Sequence, residues 1–216
     1  MPQTRKANRA LKFRGAQTRM LKMLQGPEFA AREDAQTTLP ALKQLLEINR
    51  LGFLTEDSQQ GIIKANIHER AYIVGIMKEA DAELFVKNMS LFTDKVCMII
   101  SVIDKYDSTT YDKIPLTYTT NYNKIGKYNI DTAMTAIYPQ EQWDFVRKQG
   151  FNIAKSEKVV PVFCYDVKWG RKATIADGLF TSVIKVLSHT KTNFTTAADR
   201  ERIQAELRKK YANTNQ

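Results

Sequence analysis

The sequence has few of the residues from which most catalytic and metal-binding sites are built. Its 216 residues include only two histidines and two cysteines, and none of these has the spacing of a metal-binding motif. A Walker loop, a G-x-G-x-x-G turn and a G-x-S-x-G elbow are also absent from the sequence. We therefore predict no catalytic residue, no bound metal and no cofactor.

Long apolar runs are also missing. The longest lies at residues 96–103, is interrupted by Ser101, and is far shorter than the roughly 20 residues that a membrane-spanning helix needs. The N-terminal stretch MPQTRKANRALKFRG has no apolar centre, so it is not a secretory signal. With so few cysteines a reducing compartment is favoured, and we expect Cys97 and Cys164 to be buried free thiols. The protein is expected to be neither secreted nor membrane-spanning.

Acidic residues are absent from the N-terminal end. Residues 1–25 contain seven Lys or Arg and no acid, residues 191–216 contain six bases and three acids, and residues 26–190 contain twenty of each. The net charge of +10 therefore lies in the two ends. A neutral body with a basic end is typical of chains that bind something acidic. We divide the chain into a basic arm (1–26), a body (27–190) and a polar C-terminal helix and tail (191–216).

The basic arm also contains scattered apolar residues. A short helix is predicted at residues 16–25, ended by Gly26 and Pro27. This mixture favours attachment to grooves on neighbouring protein chains, with nucleic acid as the alternative partner. The residues assigned to this contact are Arg5, Lys6, Arg9, Lys12, Phe13, Arg14, Arg19 and Leu21.

The body alternates between helical and strand patterns, which predicts a single α/β (or α+β) domain with a mixed sheet of about five strands. Residues 71–77, 79–92 and 96–103 read as a parallel β-α-β unit. The polar run at residues 55–60 reads as a loop. Further strands are predicted at 114–122, 128–138 and 159–165, and further helices at 40–50, 140–149, 176–188 and 196–211.

Two short motifs stand out in the body. The first runs from Asn49 to Gly61 as N-R-x-G-F-x-T-x-x-S-Q-x-G and continues in E-R-A-x-x-x-G from Glu69 to Gly75. The second, D-x-x-W-G-R, runs from Asp166 to Arg171. Together they resemble a family of uncharacterised proteins of soil bacteria, whose members have proline at the position of Gln60. The resemblance covers residues 40–187 and implies a fold but no activity.

The motifs allow a structural and a chemical interpretation. His68, Glu69 and Arg70 stand before one predicted strand, and Asp166, Trp169 and Arg171 follow another, at the edge where open α/β sheets bind ligands. Arg171 could hold an anion with Trp169 as a stacking face. Alternatively, an ion pair between Asp166 and Arg171 fixes the turn over a buried Trp169, and Arg70 joins one ionic cluster. The structural interpretation is favoured.

Other combinations of residues are weaker candidates. His68 could act as a base on Ser58, oriented by Glu69 or Asp166, but hydrogen bonding to its own loop is the simpler role. Asp104, Asp107 and Asp112 follow a predicted strand and could bind a hard cation, although such loops are more often simply solvated.

The leading hypothesis is a structural protein of a large assembly that binds other protein chains through the basic arm. More specifically, we expect a minor capsid protein of a large icosahedral double-stranded DNA virus, located in the virion; if the chain is not viral, we expect the cytoplasm. The alternatives are a small enzyme or anionic-ligand-binding domain at a crevice around Arg70, Asp166 and Arg171, and nucleic-acid binding through the arm.

Overall fold

A computed structural model of the chain describes residues 10–32, 39–64, 67–92, 97–101, 115–119, 129–133 and 146–192. Within these ranges the main helices are α1 (Phe13–Leu24), the short α2 (Pro27–Ala30), α3 (Leu42–Arg50), α4 (Glu79–Phe92) and α5 (Leu179–Thr192). A 3-10 turn at Leu39–Ala41 precedes α3, and a π-helical turn occupies Val146–Gly150. The strands are β1 (Leu54–Gln59), β2 (Ile62–Lys64), β3 (Ile67–Glu69), β4 (Tyr72–Lys78), β5 (Cys97–Ser101), β6 (Pro115–Thr119), β7 (Asn129–Ala133) and β8 (Val159–Asp166).

The mixture of helices and sheet in one domain is confirmed, but the strands divide between two four-stranded sheets. The first sheet has the order β1-β4-β8-β5 and the second the order β2-β3-β6-β7. Every strand pairing between these described strands is antiparallel. The expectation of one mixed sheet of about five strands is therefore corrected to two antiparallel sheets of four described strands each.

The predicted β-α-β unit is present in a split form. β4, α4 and β5 follow one another along the chain, and β4 and β5 point the same way because both pair antiparallel with β8. β8 lies between them, so they are not hydrogen-bonded neighbours as a simple β-α-β unit would be. The apolar runs identify the three strands correctly, but they carry no information about which strand inserts between the other two.

The polar run at residues 55–60 is a strand and not a loop. β1 pairs with β4 and is an edge strand of the first sheet, with an irregular register at Glu56, between Thr55 and Asp57. An edge strand is hydrogen-bonded to a neighbour on one side only, and polar or charged side chains are common on such strands. Gly75 makes the pairing close, because a Cβ at that position would stand 2.0 Å from the carbonyl oxygen of Leu54.

The first sheet is apolar on both faces. On one face Ile73, Met77, Val162 and Cys164 pack against α3, α4 and α5 in a fully buried cluster that includes Phe53. The opposite face carries a second cluster, made of Leu54, Tyr72, Val74, Ile76, Phe163, Tyr165, Phe151 and Ile153 together with side chains of α1. Successive residues of a strand point to opposite faces, so a strand covered on both sides reads as a continuous apolar run.

α1 covers that second face, so residues 13–24 of the predicted arm pack on the body of the same chain. Phe13, Ala16, Met20 and Leu24 are buried at successive helical spacings in the second cluster. Leu11 forms a parallel bridge to Ile153 just before the helix begins. Phe13, which the sequence suggested as an anchor for a partner, is buried within this chain, and the attachment of the arm to other chains stays a prediction.

Several other elements lie near their expected positions. β6, β7 and α5 fall within or beside the predicted ranges, and Cys164 is a buried free thiol. The predicted helix at 196–211, the loop with Asp104, Asp107 and Asp112, most of the predicted helix at 140–149, and residues 1–9 with Arg5, Lys6 and Arg9 lie outside the described residues. Among the helices that the structure describes, none has the length and apolarity needed to cross a membrane.

The docking of α1 predicts a clear difference between two substitutions on the same helix. Phe13→Ala should lower the free energy of unfolding by about 2–4 kcal/mol, because Phe13 is only 5% exposed and its loss leaves a cavity. The matched control, Arg14→Ala, changes an exposed neighbour and should stay within about 0.5 kcal/mol. Urea unfolding of both variants measures the difference. Equal effects would show that α1 does not contribute to the core.

Candidate functional site

The two sequence motifs meet at the end of β8. Asp166 is the last residue of that strand, and the chain then turns through Trp169 and Gly170 before α5. Glu69 ends β3, and Ala71 lies just before β4, the neighbour of β8. We call the group formed by His68, Glu69, Arg70, Asp166, Trp169 and Arg171 the motif cluster.

A bidentate ion pair holds the centre of the motif cluster. Arg171 donates from Nε to Asp166 Oδ2 at 2.6 Å and from Nη2 to Oδ1 at 2.5 Å. The Asp166 side chain is fully buried and that of Arg171 is 8% exposed. The Lys168 backbone N–H also donates to Asp166 Oδ1 at 2.8 Å. The hydrogen bonds from Arg171 to Asp166 raise the pKa of the guanidinium above its ordinary value.

Arg70 lies between two aromatic rings and not in the ionic cluster that the sequence suggested. Its guanidinium carbon is 4.2 Å from the ring centroid of Trp169 and 5.4 Å from that of Tyr165, which is cation–π geometry. Burial lowers the pKa of Arg70, while Tyr165 and Asp166 act in the opposite direction. Its buried Nε atom has no hydrogen-bond partner among the described residues. Trp169 is only half-buried, contrary to the expectation of a buried ring.

Backbone hydrogen bonds join the two motifs directly. Gly170 donates to the carbonyl oxygen of Glu69 at 3.0 Å, and Asp166 donates to that of Ala71 at 2.8 Å. Gly170 has a φ of +66°, and a Cβ there would stand 1.9 Å from Cγ1 of Ile63 in β2. Only glycine satisfies both conditions without strain. The D-x-x-W-G-R turn is therefore held between the β2–β3 segment and β4.

The first motif has a structural role of its own at the turn between α3 and β1. The Asn49 side chain is buried, donates to the Leu45 carbonyl at 2.8 Å and to Thr55 Oγ1 at 2.9 Å, and accepts from the Thr55 backbone N–H at 3.1 Å. Gly52 permits the turn with a φ of +96°, and Phe53 enters the core against Phe85. At its far end, Gly61 touches the Arg171 carbonyl, where a Cβ would come within 2.1 Å.

This geometry leaves little room for ligand chemistry at the motif cluster. Nε and Nη2 of Arg171 donate hydrogen bonds to Asp166, so an anion at these two nitrogens would have to displace a buried carboxylate. Nη1 is 3.4 Å from the exposed Asp177. Ser58 lies on β1 in the first sheet, whereas His68 lies on β3 in the second. Among the described residues, no three His, Cys, Asp or Glu side chains are grouped to hold a metal ion. The contacts within the motif cluster favour the structural interpretation.

A cleft that the sequence reading did not find lies at the edge of the first sheet. It has a volume of about 410 Å³ and is lined by α1, α2 and residues 55–59 of β1, with Tyr72 and Phe151 also contributing. It was missed because residues 55–60 were read as a loop and α1 as part of a separate arm. The only available signal was the helical spacing of Phe13, Met20 and Leu24.

Taken together, the fold and the motif cluster define a single α/β domain in which two separated motifs fix one turn. Residues 19–190 match the family described as domain of unknown function DUF6919, and the chain belongs to that family. The match spans both motifs and the second half of α1. No functionally curated protein matches the chain.

The buried ion pair predicts a large loss of stability when Arg171 is removed. Arg171→Ala should lower the free energy of unfolding by about 3–5 kcal/mol, because Asp166 is left buried and uncompensated. Arg171→Lys should recover only part of this loss, since an ammonium cannot reproduce the bidentate fork. Chemical denaturation measures both variants.

The control for this prediction is an exposed ion pair in the same chain. Arg50 lies 3.4 Å from Glu47, and both side chains are more than 40% exposed, so Arg50→Ala should cost less than about 1 kcal/mol. If Arg171→Ala is as mild as Arg50→Ala, the motif cluster does not stabilise the fold.

Proposed function

We propose that this chain is a non-catalytic structural component of a large, nucleic-acid-containing assembly, and that it attaches to phosphate groups through the outer face of α1. We call this the basic face: Lys12, Arg14, Arg19 and Lys22. All four side chains are exposed, whereas Phe13, Ala16, Met20 and Leu24 face inward. The observation that carries the proposal is that this docked helix presents its bases outward while its buried side chains are apolar.

The placement of the bases is costly for the helix itself. Lys12 caps α1 and Arg14 lies in its first turn, where the structure has no acid and no side-chain cap. Positive charge beside the partial positive end of a helix is unfavourable, by about 0.3–1 kcal/mol per charge at an exposed site. A sequence that only needed to cover the sheet would be better served by acids there. The arrangement therefore supports a role for these bases outside the chain.

A phosphate backbone suits the basic face better than a protein groove does. The sequence-based expectation of a protein clamp relied on apolar anchors, but Phe13 is 5% and Met20 is 8% exposed within this chain. What remains on the outside is charge with little apolar surface, apart from the half-exposed Met23. Binding that is dominated by Lys and Arg is typical of nucleic-acid backbones. The bases Arg5, Lys6 and Arg9 precede the helix in the sequence and add to the same charge.

The assignment to a capsid and a virion stays a prediction. It rests on the neutral body with basic ends and on the absence of a catalytic motif in the sequence. The enzyme alternative has weaker support, because the arginines of its proposed crevice are engaged with Asp166 and with the rings of Trp169 and Tyr165.

Binding to double-stranded DNA as a function of salt tests the proposal. With four phosphate contacts from the basic face, the logarithm of the binding constant should fall with the logarithm of salt concentration with a slope of about −3.6. Arg14→Ala, Arg19→Ala and Lys22→Ala should each make the slope shallower by about 0.9. Fluorescence anisotropy of a labelled duplex with the full chain gives the slope.

Lys185→Ala is the matched control, since Lys185 is an exposed base on α5, which packs on the other face of the sheet. It should leave the slope unchanged. A slope near zero, or equal effects of Lys185 and the basic face, would contradict the proposal. If polyglutamate binds as tightly as DNA, the partner of the basic face is an acidic protein and not nucleic acid.

A further inference from the structure

The cleft beside β1 has two walls of different chemistry. One wall is apolar and comes from Met20, Met23 and Leu24 of α1 with Phe29 of α2. The other wall is the polar strand β1, including Asp57. Its volume of about 410 Å³ falls within the range of small-molecule sites. A cleft of this composition fits a ligand that has both an apolar part and a polar end.

Asp57 determines the charge that the polar end should carry. The Tyr72 hydroxyl donates to its Oδ2 at 2.8 Å, and the Ser58 backbone N–H donates to its Oδ1 at 2.7 Å. A carboxylate has about four acceptor positions, so these two bonds orient it and leave capacity for another donor. Among the described residues, Asp57 has no ion pair with a basic side chain. Within the described part of the chain, the half-buried carboxylate is therefore held in place without an ion-pair partner.

Among the described residues that line the cleft, acidic side chains outnumber basic ones. Glu56 and Asp57 line it from β1, and Arg32 lines it from the segment after α2. Two acids against one base favour a cationic ligand over an anionic one. Methionine side chains adapt their shape to an alkyl chain, and lysine-like stems commonly lie along apolar surface while the charged end reaches a polar partner.

We infer that the cleft binds a ligand with an alkyl chain that ends in an ammonium or guanidinium group. Asp57 accepts a hydrogen bond from the charged group, and the alkyl part packs against the methionine side chains of the apolar wall. This site is separate from the basic face of α1, since Lys12, Arg14, Arg19 and Lys22 do not line the cleft. The ligand class is shared by free organic amines and by Lys or Arg side chains of a polypeptide.

Titration of the full chain with n-pentylamine, followed by amide NMR shifts, tests the inference. Saturable shifts should be concentrated at residues 20–24 and 55–59. Asp57→Asn should weaken binding by roughly tenfold, because the hydrogen bond from the ligand then loses its charged acceptor. Pentanol and pentanoate should bind at least tenfold more weakly than pentylamine. N-acetyl-lysine methylamide mimics a lysine side chain of a polypeptide. If it binds as well as pentylamine, the natural ligand is a protein side chain; if only pentylamine binds, the natural ligand is a free amine.

Two further variants keep the test decisive. Glu28→Gln is the control, because Glu28 is an exposed acid that does not line the cleft although its neighbour Phe29 does. This substitution should change the binding of pentylamine by less than about twofold. Met23→Ala truncates a side chain that is 45% exposed, so the fold should survive, and binding should weaken roughly threefold. Equal binding of pentylamine and pentanoate, or no change in Asp57→Asn and Met23→Ala, would overturn the inference.

Discussion

The ion pair between Arg171 and Asp166 is the interaction on which the arrangement of this domain depends. A fully buried carboxylate at the end of a central strand is tolerated only if its charge is matched and its oxygens accept hydrogen bonds. Arg171 supplies both, and its backbone carbonyl lies against Gly61, in the link between β1 and β2. The turn that carries Asp166 is hydrogen-bonded to Glu69 and Ala71. One pair of charges therefore ties β8, β4 and the β2–β3 segment together at the edge of the first sheet.

The second constraint is that the first sheet is apolar on both faces and needs cover on each. α3, α4 and α5 cover one face, and α1 covers the other. α1 is therefore required by the core, and its bases are presented on a rigid surface instead of a free arm. The Gln17 side chain strengthens this attachment, since its Nε2 donates to the carbonyl oxygens of Asn49 and Arg50 at the end of α3. The same docking forms the cleft beside β1.

Apolar periodicity in the sequence was sufficient to find the body of the fold. The bounds of α4 were predicted as they are observed, and β4 and β8 differ by one residue at each affected end. The pairing of Asp166 with Arg171 also followed from the motif. Strand order did not, because the insertion of β8 between β4 and β5 depends on contacts between residues far apart in the chain. β1 was missed because five of its six residues are polar, so it gives no apolar strand signal. The role of Arg70 was misjudged since the sequence does not show that Tyr165 and Trp169 flank it.

α1 is part of the core, and we propose that its exposed outer face binds a polyanion. Amide hydrogen exchange of the full chain, with and without a DNA duplex, tests it most directly. In the free protein the amides of α1 should exchange nearly as slowly as those of β4, because opening α1 exposes the second apolar cluster. Added DNA should increase the protection of α1 and leave α5 unchanged. Exchange of free α1 at the rate of an unfolded peptide, or DNA protection confined to other parts of the chain, would contradict the account.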